Sequence, residues 1–196
     1  KNLKAEKMQS VEGGLRFSRP WVNAVVTLFY NHGSDMIDWT KDLSGGADAP
    51  WRSRNYTKIN TFGQELSTRI DFVSMLVRDD FFIRNIELSY SHINQDKKLE
   101  ENIQSRYALE YLRQKFVVKA DFHIWNGLCA NASWRWQDRV GNYELFENKV
   151  STGNMVSYKP YSLLDARLSW TSGYGKSSPR RTGYSFYVEV NNILDK

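Results

Sequence analysis

Residues Leu128 to Arg139 read LCANASWRWQDR, and their alternation decides the fold. Leu128, Ala130, Ala132, Trp134 and Trp136 are apolar, whereas Cys129, Asn131, Ser133, Arg135 and Gln137 between them are mostly polar. A period of two places the two sets on opposite faces of a β-strand. Soluble sheets alternate as well, but they seldom close an apolar face with two Trp. A strand with lipid outside and water inside does so, because Trp favours the membrane–water interface. The pattern recurs along the chain and predicts the wall of a membrane β-barrel.

Composition narrows the alternatives. A length of 196 residues predicts one domain. Aromatic residues make up 14%, with seven Trp and eleven Tyr, and hydrophobic residues 41%. The longest apolar run, Ala24 to Tyr30, is broken by Thr27 and is far short of the roughly 20 residues of a membrane-spanning helix. Mean hydropathy is −0.59, which does not count against a barrel, since half of each strand faces water. The net charge of +5 is dispersed over Arg52, Arg54, Lys97, Lys98, Lys149, Arg180 and Arg181. Nucleic-acid binding would concentrate it in a stripe; dispersed cations fit solvated loops, some near anionic lipid headgroups. The single Cys129 forms no internal disulfide.

About eight strands are predicted, joined by connections that alternate short and long. Met8–Ser18 turns at Arg19-Pro20 into Trp21–Trp39, with Val22, Ala24, Val26, Leu28 and Tyr30 on one face. A long loop, residues 40–55, leads to Tyr56–Phe72, with Phe62, Leu66, Ile70 and Phe72 outward. A short turn at Val77–Asp80 precedes Phe82–Ile93, and the loop Asn94–Asn102 follows. Ser105–Trp125 is long enough for two strands, but alternation of loop lengths requires one crossing, with Phe116, Val118, Ala120, Phe122 and Ile124 toward lipid. Asn126-Gly127 is a pair favoured where φ is positive and turns the chain into the Trp-rich strand. A long loop, Val140–Lys159, then Tyr161–Trp170, a Gly/Ser/Pro turn and Tyr184–Asn192 complete the wall. Short turns on one side and long loops on the other are an outer-membrane barrel pattern.

The inward positions are charged. Glu65, Arg69, Asp71, Glu87, Lys119, Asp121, Arg135, Asp165, Arg167 and Glu189 mix both signs on neighbouring strands, which avoids like charges facing one another. Such a set either fills a narrow barrel or lines a wide one. Catalytic and metal chemistry find little support. His32, His92 and His123 stand apart, and zinc needs three or four convergent ligands. The loop carboxylates Asp35, Asp38, Asp42 and Asp48 lack EF-hand spacing and read as a solvated loop. No enzyme activity, cofactor or metal is expected. Both ends read as internal to a longer protein: there is no initiator Met, export signal or final strand ending in an aromatic residue.

Several segments resemble one family. Asn2-Leu3-Lys4-Ala5-Glu6-Lys7 followed by Val11-Glu12-Gly13-Gly14-Leu15 is similar to its "NLKPEK…EAGL" strand start, with Ala5 in place of Pro. Met36-Ile37-Asp38-Trp39 resembles "MIDW", ahead of a long extracellular loop. Asn60-Thr61-Phe62-Gly63-Gln64-Glu65 resembles an "N-x-x-G-x-E" strand, and Arg135–Arg139 resembles "RWQDR". Leu164–Leu168 and Val190–Asp195 are similar to "LDARL" and "VNNLLD", near the end of the family's barrel. In this order and spacing the motifs resemble the C-terminal barrel of TonB-dependent outer-membrane receptors, most closely Bacteroidota receptors for cobalamin or siderophores.

The resemblance implies about eight strands, numbers 14 to 21, of a 22-stranded plugged barrel, with residues 1–196 a partial barrel domain lacking plug and final strand. It implies active uptake of a scarce, large nutrient across the bacterial outer membrane. The implied partners are the TonB complex through the plug, outer-membrane lipid and lipopolysaccharide, and a surface lipoprotein in some relatives. Extracellular ligand contacts are expected at Trp39, Trp51, Arg52, Tyr56, Arg139 and Tyr143, and the inward charges are expected to face lumen and plug. The competing reading is a self-contained eight-stranded barrel with a structural or adhesive role, eight being an allowed even count. A soluble β-sandwich is disfavoured by the outward apolar bands.

Overall fold

The computed structural model describes residues 3–42, 44, 49–97, 102–105, 111–147, 150–172 and 183–195. Period-two alternation produces a long antiparallel meander. Its elements are β1 (Lys7–Arg19), β2 (Val22–Asp42), β3 (Arg52–Asp71), α1 (Phe72–Leu76), β4 (Ile83–Lys97), β5 (Ile103–Ser105), β6 (Tyr111–Trp125), β7 (Leu128–Val140), β8 (Asn142–Glu147), β9 (Val150–Ser157), β10 (Tyr161–Thr171) and β11 (Ser185–Val190). Eight of them follow one another in the wall, in the order β1-β2-β3-β4-β6-β7-β10-β11. The remaining strands are small: β5 pairs with the far end of β2, and β8 and β9 form a separate hairpin.

All eight expected wall strands are present, and the segment ahead of Asn126-Gly127 crosses once, as β6. Asn126 and Gly127 have φ of 27° and 86°, the positive values that this turn requires. Five expectations change. β4 runs on to Lys97, into the loop expected over Asn94–Asn102, and Ser105 ends β5 instead of opening the long crossing. Phe72 does not continue β3; it opens the one-turn helix α1, for which the Asp71 carboxylate caps Ser74 N at 2.9 Å. The loop expected over Val140–Lys159 contains the hairpin β8–β9. The loop after Thr40 is shorter than expected, because β2 runs on to Asp42 and β3 begins at Arg52.

Register fixes the faces. Val26, Leu66, Tyr90, Phe116 and Trp136 lie in one row across β2, β3, β4, β6 and β7. Below it run Leu88, Val118, Trp134 and Leu164. Phe116 and Trp134 meet edge to face at 5.8 Å, and Trp170 stacks on Phe186 at 6.3 Å. None of these side chains is buried, and others on the same face are open: Leu28 is 48%, Phe62 47% and Leu168 46% accessible. Among the described residues the buried hydrophobics reduce to Val22, whereas Asp38, Thr40 and Asp138 are buried polar groups. A water-soluble sheet would hide its aliphatic face. This distribution is inverted, which is stable where hydrocarbon takes the place of a second layer.

No helix is long and apolar enough to cross a membrane; crossing falls to the strands. β1 and β11 stand at opposite ends of the linear strand order, whereas a self-contained eight-stranded barrel requires them to pair.

Candidate functional site

The inner face presents its charges in rows. Arg69, Glu87, Lys119, Ser133 and Asp165 are successive cross-strand partners from β3 to β10. A second row runs Asp71, Asn85, Asp121, Asn131, Arg167 and Glu189. Glu65 lies opposite Ser91, and Arg135 lies between Val117 and Leu163. All ten residues expected on the inner face therefore share one side of the sheet. Many are locally satisfied. Arg69 Nη1 donates to Glu87 Oε1 at 2.7 Å, and Asn131 Nδ2 donates to Asp121 Oδ1 at 2.5 Å. Asp165 accepts from Asn192 N at 2.8 Å, while Arg167 stands 4.0 Å from Glu189 and 3.9 Å over the Tyr187 ring. Asp71 is spent on capping α1.

This face is hollowed in two places. A groove of about 560 Å³ spans β3, β4, β6 and β7, floored by Ser67, Ser89 and Val117 and flanked by Glu65, Lys119 and Arg135. A smaller hollow of about 290 Å³ is bordered by Asp121, Asp165, Arg167 and Glu189.

At the end of the long connections, the expected contact residues form two clusters. Arg139 lies 5.2 Å over the ring of Tyr158, which lies 5.4 Å from Tyr143. Gly141, with φ 135°, starts the hairpin there, and its carbonyl accepts Tyr158 N at 3.2 Å. Below this cluster Arg113 donates to Asp138 from Nε at 2.8 Å and from Nη2 at 2.5 Å. Trp39 and Arg52 belong to the other cluster: Trp39 pairs with Ser53, and the carbonyl of Arg52 accepts from Thr40 Oγ1 at 3.3 Å. Trp51 directly precedes β3 and is half-buried. The Tyr56 side chain lies outside the described residues. β4 and β6 separate the two clusters in the wall.

Residues not singled out from sequence complete the second cluster. Asn55 is a clamp: its Oδ1 accepts Lys4 N at 2.6 Å, and its Nδ2 donates to the carbonyls of Lys4 at 2.8 Å and Asp35 at 2.5 Å. Glu6 accepts Ile37 N at 2.7 Å. Together they strap the segment before β1 across β2 and β3, beside a hollow of about 840 Å³ lined by Lys4, Asp35, Arg52 and Arg54. Of the loop carboxylates, Asp38 is buried, and Asp48 lies outside the described residues. The Ser44 hydroxyl, and then its amide, hold the Asp42 carboxyl below its usual range. Among the described residues no three His, Cys, Asp or Glu converge as metal ligands. His32 Nδ1 is 2.7 Å from Asn60 Oδ1.

Comparisons with known proteins bear on this arrangement. No curated protein matches the chain. Among solved structures it is similar to the FrpB iron transporter from Neisseria meningitidis. The F5-1 variant apoprotein is 13% identical with a TM-score of 0.61, over 98% of this chain and 27% of that one. The F3-3 variant is 14% identical with a TM-score of 0.62, over 99% and 28%. The chain thus spans between a quarter and a third of those transporters' length, and at this identity the likeness shows the fold. A family model described as "TonB dependent receptor-like, beta-barrel" matches residues 1–193. Spanning nearly every residue, that match makes the chain a member of the TonB-dependent receptor β-barrel family, an outer-membrane type of Gram-negative bacteria.

Proposed function

We propose that this chain is a stretch of the wall of a TonB-energised outer-membrane transporter that imports a scarce, large nutrient. The observation that carries the reading is the inverted wall, apolar outward and charged inward in register from β3 to β11, in a chain matched by the family from residue 1 to 193. Residues 1–196 would be part of a 22-stranded barrel, with the plug and last strand supplied elsewhere in a longer protein. The plug would engage the TonB complex. The outward bands would meet lipid and lipopolysaccharide, and a surface lipoprotein would cap the extracellular side if the receptor is of the Bacteroidota type that the motifs resemble.

Substrate choice falls between cobalamin and a ferric siderophore. The iron transporters of similar fold support the second, and the sequence motifs support both. Binding would draw on the rims, through Arg139 and Tyr143 on one side and Trp39, Trp51, Arg52 and Tyr56 on the other. Nothing in this role is enzymatic. The test is uptake of labelled cyanocobalamin and of a ferric siderophore by cells carrying or lacking the full-length receptor gene, with TonB intact or inactivated. Uptake of one substrate should require both. Replacing Arg139 and Tyr158 by Ala should weaken its binding about three- to tenfold, as expected for loss of a cation–aromatic contact, at unchanged receptor levels. Uptake of both substrates that survives deletion of the gene would sink the reading.

A further inference from the structure

The short connection between β3 and β4 is built from unusual residues. Arg19-Pro20 and Asn126-Gly127 turn the chain with Pro, Asn and Gly. Helix α1 and its C-cap instead read Phe72-Val73-Ser74-Met75-Leu76-Val77, in which Ser74 alone is polar. Met75 and Leu76 are exposed, and Val77 is 89% accessible. Val77 also has φ 54°, in the left-handed region, where helices commonly end on Gly or Asn. A β-branched residue is strained there. Facing water, such a residue would combine strain with an uncovered apolar side chain. An apolar surrounding that stabilises the side chain accounts for both.

Depth identifies that surrounding. Tyr30 and Phe62 are cross-strand partners near the upper edge of the outward apolar face. The ten steps from Phe62 to Phe72, at about 3.3 Å each and tilted about 45°, descend roughly 23 Å, close to the height of about 25 Å of a barrel's apolar band. α1 therefore begins at the edge of that band on the side of the short turns, which is periplasmic in this architecture. Aromatic residues mark the same level beside it. The carbonyl of Trp21 accepts Asp71 N at 2.8 Å, and the ring of Phe82 lies 5.2 Å from that of Phe122. Phe122 faces Ala130, which faces Leu168, so the Phe82–Phe122 pair belongs to the outward face. The apolar turn thus continues the lipid-facing surface. Its backbone suits a place poor in water: the Asp71 carboxylate takes Ser74 N, and the Val73 carbonyl takes Val77 N and Arg78 N. Charge returns at once after the helix, with Arg78 paired to Asp80 at 3.0 Å.

We infer that α1 and Val77 form a membrane-seated foot, sunk into the phospholipid of the periplasmic leaflet, with Met75, Leu76 and Val77 among the upper acyl carbons and Arg78, Asp79 and Asp80 in the headgroup layer. Interfacial segments bury their apolar side chains about 5–10 Å into this boundary. The foot fixes the depth of the lower ends of β3 and β4. The inference rests on the outward lipid contact proposed above and goes beyond it, because lipid contact of the strands alone leaves this turn in the periplasm.

The test uses the full-length receptor in vesicles of phosphatidylethanolamine and phosphatidylglycerol, with Cys129→Ser and any other cysteine removed. A nitroxide is attached in turn to Leu76→Cys, Val77→Cys, Asp79→Cys and, on the outward face, Leu168→Cys. Its collisions with oxygen, which enters bilayers, are compared with its collisions with a neutral nickel chelate, which stays in water. The labels at Leu76→Cys and Val77→Cys should show a ratio of oxygen to chelate collisions several-fold above that at Asp79→Cys, and near that at Leu168→Cys. A ratio at Leu76→Cys and Val77→Cys equal to that at Asp79→Cys would put the turn in water. Few collisions with either reagent would put it under protein, whether plug or periplasmic partner. Each of these two results overturns the foot. A label at Leu168→Cys that itself favours the chelate would overturn the lipid-facing wall, and the foot with it. Lipid at Leu168→Cys with water at Leu76→Cys removes the foot alone.

Discussion

At Gly63 the inner wall has no room for a side chain. The residue lies directly opposite Phe29, and the Phe29 ring lies across it. A Cβ built on Gly63 would stand 2.0 Å from Phe29 Cζ. Glycine in mid-strand gives up side-chain packing and conformational preference, so here the close approach of the ring requires it. Gly63→Ala should lower stability by about 1 kcal/mol, the lower end of the range for overpacking, because the tip of the half-buried Phe29 ring can swing aside; the measurement is urea unfolding of the full-length protein in detergent. Combining it with Phe29→Ala should remove most of the increment. An equal loss in both backgrounds would rule out the ring as the cause. Sequence places Gly63 on the inner face but does not reveal its partner. Alternation assigns apolar side chains to lipid, and Phe29, Val25 and Val117 are apolar residues facing inward. The inner charges are legible because the alternation is strict there; the aromatic filler among them is not.

The eight wall strands are legible as elements because each carries enough alternating residues to fix its phase. The hairpin β8–β9 is not. Its eight-residue second strand, VSTGNMVS, has only three large apolar residues and includes a glycine. Helix α1 is one turn of five residues, too short for a 3.6-residue period to appear. What joins the end of β6 to the end of β7, from which the hairpin springs, is equally hidden, because Arg113 sits at an irregularity in the pairing of β6 with β7. Its guanidinium holds the buried Asp138 carboxylate. Breaking a fully buried pair costs about 3–5 kcal/mol. Because Arg113 is half-exposed, solvent screening reduces this to about 1–3 kcal/mol. Arg113→Ala should therefore expose the hairpin to protease on intact cells before it affects the rest of the barrel, and Asp138→Asn should behave more mildly. Unchanged cleavage in Arg113→Ala would show that the pair does not hold this region.

For the whole molecule, the open strand order governs behaviour. β1 and β11 each leave one row of backbone donors and acceptors unpaired in this sheet, a template for further strands. Residues 1–196 expressed alone and refolded in detergent should associate into heterogeneous species and show no SDS-resistant, heat-modifiable band, whereas the full-length protein should show one. A resistant monomer from residues 1–196 would restore the self-contained barrel. The rim of the wall is equally uneven. β2 has 21 residues and β10 has 11. The dozen residues of β2 beyond Tyr30, at about 3.3 Å each and tilted about 45°, reach roughly 28 Å past the aromatic band. The cell surface around this receptor would therefore carry a protruding ribbon. A phage tail fibre or an antibody approaching from outside would meet the tips of β2 and β3 first, so variation under immune or viral attack should concentrate there while the wall below stays fixed.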